Sequence, residues 1–256
     1  MILAVRSMWQ REIVRFLRDR SRLTGSLMQP IVFWLLFSGA LARVDMGGGQ
    51  GYGSYFFAGT LAMISLFTAI FATITVIEDR KDGFLQGVLV SPVPRSAIAL
   101  GKILGGATLG TGLGTFFLAI GAVAGMEVTL ASAVETVGVL LLLSVAVTGL
   151  GFSLAWVMDS TAGYHGIMML FLMPMLLLSG AFFPMNEAHE VLAWVRWVNP
   201  MTYGVGALRH ALHAPPEVLA GLPAYNTCLA ASAVFAVATF ALGTAVVNRR
   251  SARNAA

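Results

Sequence analysis

Residues 55–77 read YFFAGTLAMISLFTAIFATITVI, and the five that follow, Glu78-Asp79-Arg80-Lys81-Asp82, are all charged. The run of 23 residues holds no acid and no base. That exceeds the roughly 20 apolar residues an α-helix needs to cross a hydrocarbon core. It lacks the strict alternation of a barrel strand. Inside a bilayer the backbone has no water to bond with, so a helix that satisfies its own hydrogen bonds is the expected form. The charged block then ends the span at a membrane surface.

Working outward, five more runs have this character: Ser26–Ala42, Ala97–Ala124, Ala133–Met158, Tyr164–Phe183 and Asn226–Val247. The whole chain is 57% hydrophobic and only 11% charged, with a mean hydropathy of +0.81. A soluble domain of this length needs more polar surface. The expected fold class is therefore all-α, a polytopic membrane domain of six spans filling residues 1–256. The single cysteine, Cys228, excludes an internal disulfide and reads as a packing residue.

The basic residues are distributed unevenly. With the N-terminus inside, the inner segments carry 13 of the 16 Lys and Arg, and only Arg43, Arg196 and Arg209 fall outside. The positive-inside rule then predicts both termini in the cytoplasm. Because the basic residues flank spans, no basic fold remains to dock a nucleic acid. Residues 1–25 predict an amphipathic interfacial helix and no cleavable signal peptide. Trp9, Ile13, Phe16 and Leu17 share one face, and Arg11, Arg15, Arg18 and Arg22 share the other, where anionic lipid would meet them.

Within the spans the punctuation is specific. Pro30 is expected near the start of span 1, where it costs little. The outer loop Met46–Gly53 reads as a flexible connection. Gly106, Gly110 and Gly114 repeat every four residues in span 3, a spacing that lets helices pack closely in lipid. Pro174 should kink span 5, and Ser179-Gly180 followed by Pro184 predicts a break and re-entry at the outer leaflet. The outer loop, residues 185–224, should hold short helices, the second opened by Asn199 as N-cap with Pro200 at the first helical position.

The charges Glu127, Glu135 and Asp159 lie near boundaries, and the block 78–82 ends a span, so no charge is expected deep in the membrane. This weakens an ion-coupled transporter, which also calls for inverted repeats. No phosphate loop, nucleophile elbow or paired catalytic group is found, so no enzyme activity is expected of this chain. His210 and His213 lack a third and fourth ligand, so no metal site is expected either.

The segment after span 2 is the most informative. Behind the charged block, residues 84–90 (FLQGVLV) predict a short apolar helix, stopped by Pro92 and Pro94. Span 3 follows at once, with Gly101-Lys102 at its inner edge. Two readings stand: an ordinary inner loop, or a docking element for a soluble motor.

Glu78, Arg80, Gly83, Leu85, Leu89, Ser91, Pro92, Arg95, Gly101 and Lys102 resemble the signature of the ABC-2 type transporter permeases, the membrane subunits of exporters for drugs, polysaccharides and lipid-linked glycans. Pro174 with Ser179-Gly180-Ala181 and Phe183-Pro184 is a second match. Asn199-Pro200-Met201-Thr202-Tyr203 with Arg209 is a third. The resemblance covers essentially the whole chain. Two departures fall in the coupling segment: Phe84 follows Gly83, and Gln86 stands where the family often has an acid.

This resemblance implies a permease subunit of the cytoplasmic membrane that moves a lipophilic or amphiphilic cargo. It implies two separate ATPase subunits that bind ATP and magnesium, and a homodimer or a heterodimer with a related permease. The segment 78–96 would dock the ATPase through Glu78, Arg80, Gly83, Phe84, Leu85, Leu89, Ser91, Pro92 and Arg95, with Arg6–Arg22 nearby. Spans 1, 2 and 5 would line the pathway. Pro174, Ser179, Gly180, Pro184, Asn199, Pro200, Tyr203 and Arg209 would shape and gate its outer end. The alternative is an ABC-type membrane subunit that regulates or assembles a complex without exporting a cargo.

Overall fold

The computed structural model describes residues 1–46, 49–90, 93–184 and 190–253. Among them the regular structure is helical, apart from one isolated bridge between Asp45 and Gly51. Helix α1 spans Ile2–Arg18 and α2 spans Arg20–Ala40. The expected interfacial helix over 1–25 therefore stops earlier. Asp19 is the reason: its backbone N–H closes α1 on Arg15 and Phe16, and its carboxylate caps α2 by accepting from the N–H groups of Ser21 and Arg22. Because α2 begins at Arg20, Pro30 lies in mid-helix, away from the tolerant first turn, and leaves the Ser26 carbonyl without its usual donor.

Helix α3, Tyr52–Thr73, is the axis of the protein. It is apolar on every side and buried along nearly its whole length, as a helix without a polar face should be. Its polar side chains stay satisfied by turning back on the helix. The hydroxyls of Thr60, Thr68 and Thr73 donate to the carbonyls of Phe56, Ile64 and Ala69. This burial corrects one expectation. Span 2, expected to line a pathway, is instead covered by its neighbours along nearly its whole length.

The chain continues through α4 (Thr75–Lys81) and α5 (Phe84–Val90) into α6 (Arg95–Val123) and α7 (Leu130–Val157). Gly106, Gly110 and Gly114 face α7, where an added Cβ would lie 2.6 Å from Thr148 Cγ2, 2.7 Å from Ser144 Oγ and 2.9 Å from Leu140 Cδ1. Gly101 and Gly105 face the other way, onto Met8 and Glu12 of α1. Small residues on two faces thus let α6 touch two neighbours at once.

Helix α8 covers Thr161–Leu177. The remaining elements are α9 (Glu190–Val198), α10 (Pro200–Ala211), α11 (Pro216–Leu219) and α12 (Tyr225–Arg253). Among the described residues, five helical stretches are long and apolar enough to cross a membrane: Arg20–Ala40, Tyr52–Lys81, Arg95–Val123, Leu130–Val157 and Tyr225–Asn248. The 17 residues of α8 extend only about 26 Å at 1.5 Å each, short of the roughly 30 Å core. A cluster of rings fills the space between α2, α3, α6 and the turn after α8, with Phe56–Phe182 at 4.7 Å and Trp34–Phe117 at 5.5 Å between centroids.

Candidate docking site and the outer turn

Three residues separated widely in the sequence, Glu12, Asp79 and Lys102, are buried together. Lys102 Nζ lies 2.8 Å from Glu12 Oε1 and 2.7 Å from Asp79 Oδ2. Arg11 closes on Asp79 with two bonds, at 2.6 and 2.9 Å, the paired geometry in which a guanidinium binds a carboxylate most strongly. Arg15 bridges Asp79 and Glu78. Arg22 joins Glu78 to Asp19, each at 2.7 Å. The second oxygen of Glu12 accepts from Thr75 Oγ1 at 2.8 Å. Four cations meet four carboxylates, so the cluster is neutral. A buried charge costs several kcal/mol unless it is paired and hydrogen-bonded, and here each one is. The Asp79 carboxylate, through its hydrogen bond, raises the Arg11 guanidinium pKa above its ordinary value.

This arrangement corrects two expectations. The charges at the end of span 2 are not all solvated, since Asp79 is fully buried. The N-terminal arginines do not all face lipid, since Arg11, Arg15 and Arg22 turn inward to carboxylates. The physical reason is that Arg11 and Arg15 can reach acids on α4, where a direct ion pair replaces the looser attraction of headgroups. The sequence did carry a signal for this. Met8, Glu12 and Phe16 are spaced four apart and form the buried stripe of α1, so the acid in that stripe needed a buried partner.

The segment expected to dock a motor is built on the cluster. Gly83 has φ +76°, a left-handed turn that glycine makes without strain, and it separates α4 from α5. Arg11 covers the Phe84 ring at 3.7 Å, so the unusual Phe84 is the platform on which that guanidinium rests. Leu85 is buried beneath α5, while Gln86, Gly87 and Val90 are exposed. Gly87 does not stop the helix, because Leu85 anchors it. Ser91, Pro92 and the side chain of Leu89 lie outside the described residues.

Two of the expected docking charges point into the protein. Glu78 is held by Arg15 and Arg22. Arg80 donates to the carbonyls of Trp156 and Met158 and pairs with Asp159 at 2.9 Å, closing the C-terminal end of α7. Arg95 reaches the Asn248 carbonyl of α12 at 3.4 Å. These side chains hold the segment in place and tie it to α1, α7 and α12.

At the other end of the molecule α8 stops at Leu177 and the chain turns through Gly180, at φ +82°. Ser179 donates to the Leu176 carbonyl at 2.6 Å and accepts from the Ala181 N–H. The Gly180 carbonyl accepts from both Tyr55, at 3.0 Å, and Arg209, at 2.6 Å. Tyr52 binds the Phe182 carbonyl at 2.9 Å. Asn199 caps α10 through the Met201 N–H and also donates to the Met175 carbonyl in α8, whose helix Pro174 interrupts. Tyr203 donates to the Trp197 carbonyl. The structure therefore brings Ser179, Gly180, Asn199 and Arg209 to one turn. Tyr203 serves the α9–α10 junction, and Pro184 ends the turn. Arg209, expected in an outer loop, is only 4% exposed, because its helix packs against α3, α7 and α12.

Five apolar helices of spanning length among the described residues define a polytopic integral membrane protein. A family model described as ABC-2 type transporter matches residues 4–213, and the chain belongs to that family. Along nearly its whole length it is similar to several rhizobial proteins named nodulation protein J. That of Rhizobium meliloti is 27% identical over 95% of this chain and 92% of its own. Those of Rhizobium leguminosarum bv. trifolii and Bradyrhizobium diazoefficiens are 25% and 28% identical, each over 96% of this chain and 94% of their own. Membership of the family implies association with an ABC ATPase subunit.

Proposed function

We propose that this chain is the permease subunit of an ATP-driven exporter of the cytoplasmic membrane, and that α5 is where its motor docks. The observation that carries the reading is the placement of α5. Its exposed side holds Gln86, Gly87 and Val90, while its root is bound through Phe84 and Asp79 to α1 and α6. A push on this helix would be passed to the spans through short ionic bonds, the kind of coupled element that can shift between two packings.

Two ATPase subunits, holding ATP and magnesium, would close against two copies of α5. The permease would act as a homodimer or with a related permease. Apolar side chains on α2 (Val32, Leu35, Leu36) and on α8 (Leu170, Phe171) are exposed and suit the helix contacts and the pathway lining, whereas α3 does not. Six crossings, with α8 and its turn completing the fifth, would leave both termini in the cytoplasm. The apolar spans favour a lipophilic or amphiphilic cargo, such as a drug, a glycan or a lipid-linked compound.

The variant Gln86→Lys/Val90→Asp changes only exposed side chains. Co-purification of the ATPase and export in vesicles should both fall at least about tenfold, as loss of a docking contact worth roughly 1.4 kcal/mol requires. Undiminished assembly and transport would overturn the docking role of α5.

A further inference from the structure

A cavity of about 480 Å³ opens beside the outer turn, lined by Tyr55, Ser179, Thr202 and Arg209 among others. Arg209 is an unusual lining residue. Its side chain is buried. One nitrogen donates to the Gly180 carbonyl and the guanidinium covers the Tyr55 ring at 3.8 Å. Its Nε has no acceptor, and the Thr202 hydroxyl, buried on the same helix, also lacks a partner. Among the described residues no carboxylate pairs with Arg209.

Burying a cation against only a carbonyl and a ring leaves much of its desolvation uncompensated. An unpartnered buried donor is exceptional in native proteins and calls for a missing acceptor. A group that offsets the buried charge, fits a space far larger than one water and presents acceptors to a forked donor would complete this environment. An oxyanion does all three. The rest of the lining adds apolar flanks, Phe183 and Leu222, beside the polar end. Two carboxylates, Asp45 and Glu217, also line the cavity, as does Arg196; both acids are exposed to solvent, where their repulsion is partly screened.

We propose that this cavity is an oxyanion-binding site of phosphate chemistry, in which the Arg209 guanidinium is the charged ligand. The phosphate could be free or carried on a lipid headgroup, and the same cavity would take either. The site is separate from the docking helix, and its existence does not depend on the motor reading.

The test uses the full chain purified in an uncharged maltoside detergent at constant ionic strength. Inorganic phosphate and, separately, dihexanoylphosphatidylglycerol are titrated in while the thermal unfolding midpoint is followed. Binding to the folded state should raise the midpoint saturably. A rise with both probes assigns a site open to free phosphate, and a rise with the lipid alone assigns a headgroup site. Arg209→Gln should abolish the saturable rise. Glu217→Gln, at a solvent-exposed position, should tighten binding about threefold by removing a nearby like charge. No saturable rise with either probe overturns the proposal, as does an equal rise in Arg209→Gln, the mark of a general salt effect. If Arg209→Gln does not fold, Glu217→Gln decides, and unaltered affinity in that variant overturns the site.

Discussion

The two ends of α3–α4 handle buried charge in opposite ways. At the α4 end, Asp79 is surrounded by Arg11, Arg15 and Lys102, so ion meets ion. At the Tyr52 end, Arg209 meets the Gly180 carbonyl and the Tyr55 ring, so the ion meets only dipoles. The first arrangement joins α1, α2, α4 and α6 through several redundant bonds. The second holds a turn through hydrogen bonds to backbone carbonyls, two of them converging on Gly180. The difference teaches that the α4 end is braced by ion pairs while the turn after α8 is held by neutral hydrogen bonds and ring packing.

The largest expected effect breaks the braced end. Asp79→Ala leaves Glu12 as the one carboxylate shared by Lys102 and Arg11, and loss of one partner from a buried ion pair typically costs about 3–5 kcal/mol. Thermal unfolding in detergent should show a collapse of stability. The double variant Asp79→Leu/Lys102→Leu should recover more than half of it. If the double variant is as damaged as the single, the stranded charge is not the cause.

A middle effect tests how tightly the outer turn is pressed to α3. A Cβ on Gly59 would sit 2.4 Å from the Ala181 carbonyl oxygen, so Gly59→Ala must push the turn away. Overpacking of this kind costs about 1–3 kcal/mol. Cysteine accessibility at position 181 should rise, and an unchanged labelling rate would show that the turn is not seated there.

The smallest effect sharpens the contrast. Tyr55→Phe removes one of the two donors to Gly180, worth about 0.5–1.5 kcal/mol. Hydrogen exchange at the Gly180–Phe183 amides should quicken modestly, with the α4 end unaffected. Equal loosening at both ends would dissolve the distinction.

Much of this architecture was legible in one dimension. The Phe84–Val90 helix is bounded by a left-handed glycine and by prolines, which are local signals. Asn199-Pro200 opens α10 for the same reason, since a cap and a fixed φ act within one turn. What local signals could not reveal was the fate of the charges. Glu78 and Arg80 read as surface residues because charge beside a span is normally solvated. Whether a particular acid is buried depends on which helix packs over it, and α1 comes from 60 or more positions earlier. Pro30 was misplaced because the helix start was set by Asp19 and a second helix before it, rather than by the first apolar residue.

The sequence by itself determined the class of protein. Long uncharged runs call for helices in a bilayer, because a backbone polar group without a partner is costly in hydrocarbon. Only the tertiary structure decided which of the spans is the core and which charges are ion pairs. It drew Glu12, Asp79 and Lys102 into one neutral cluster and left Arg209 with a carbonyl and a ring. Burial and pairing are properties of neighbours in space, and no residue carries them alone.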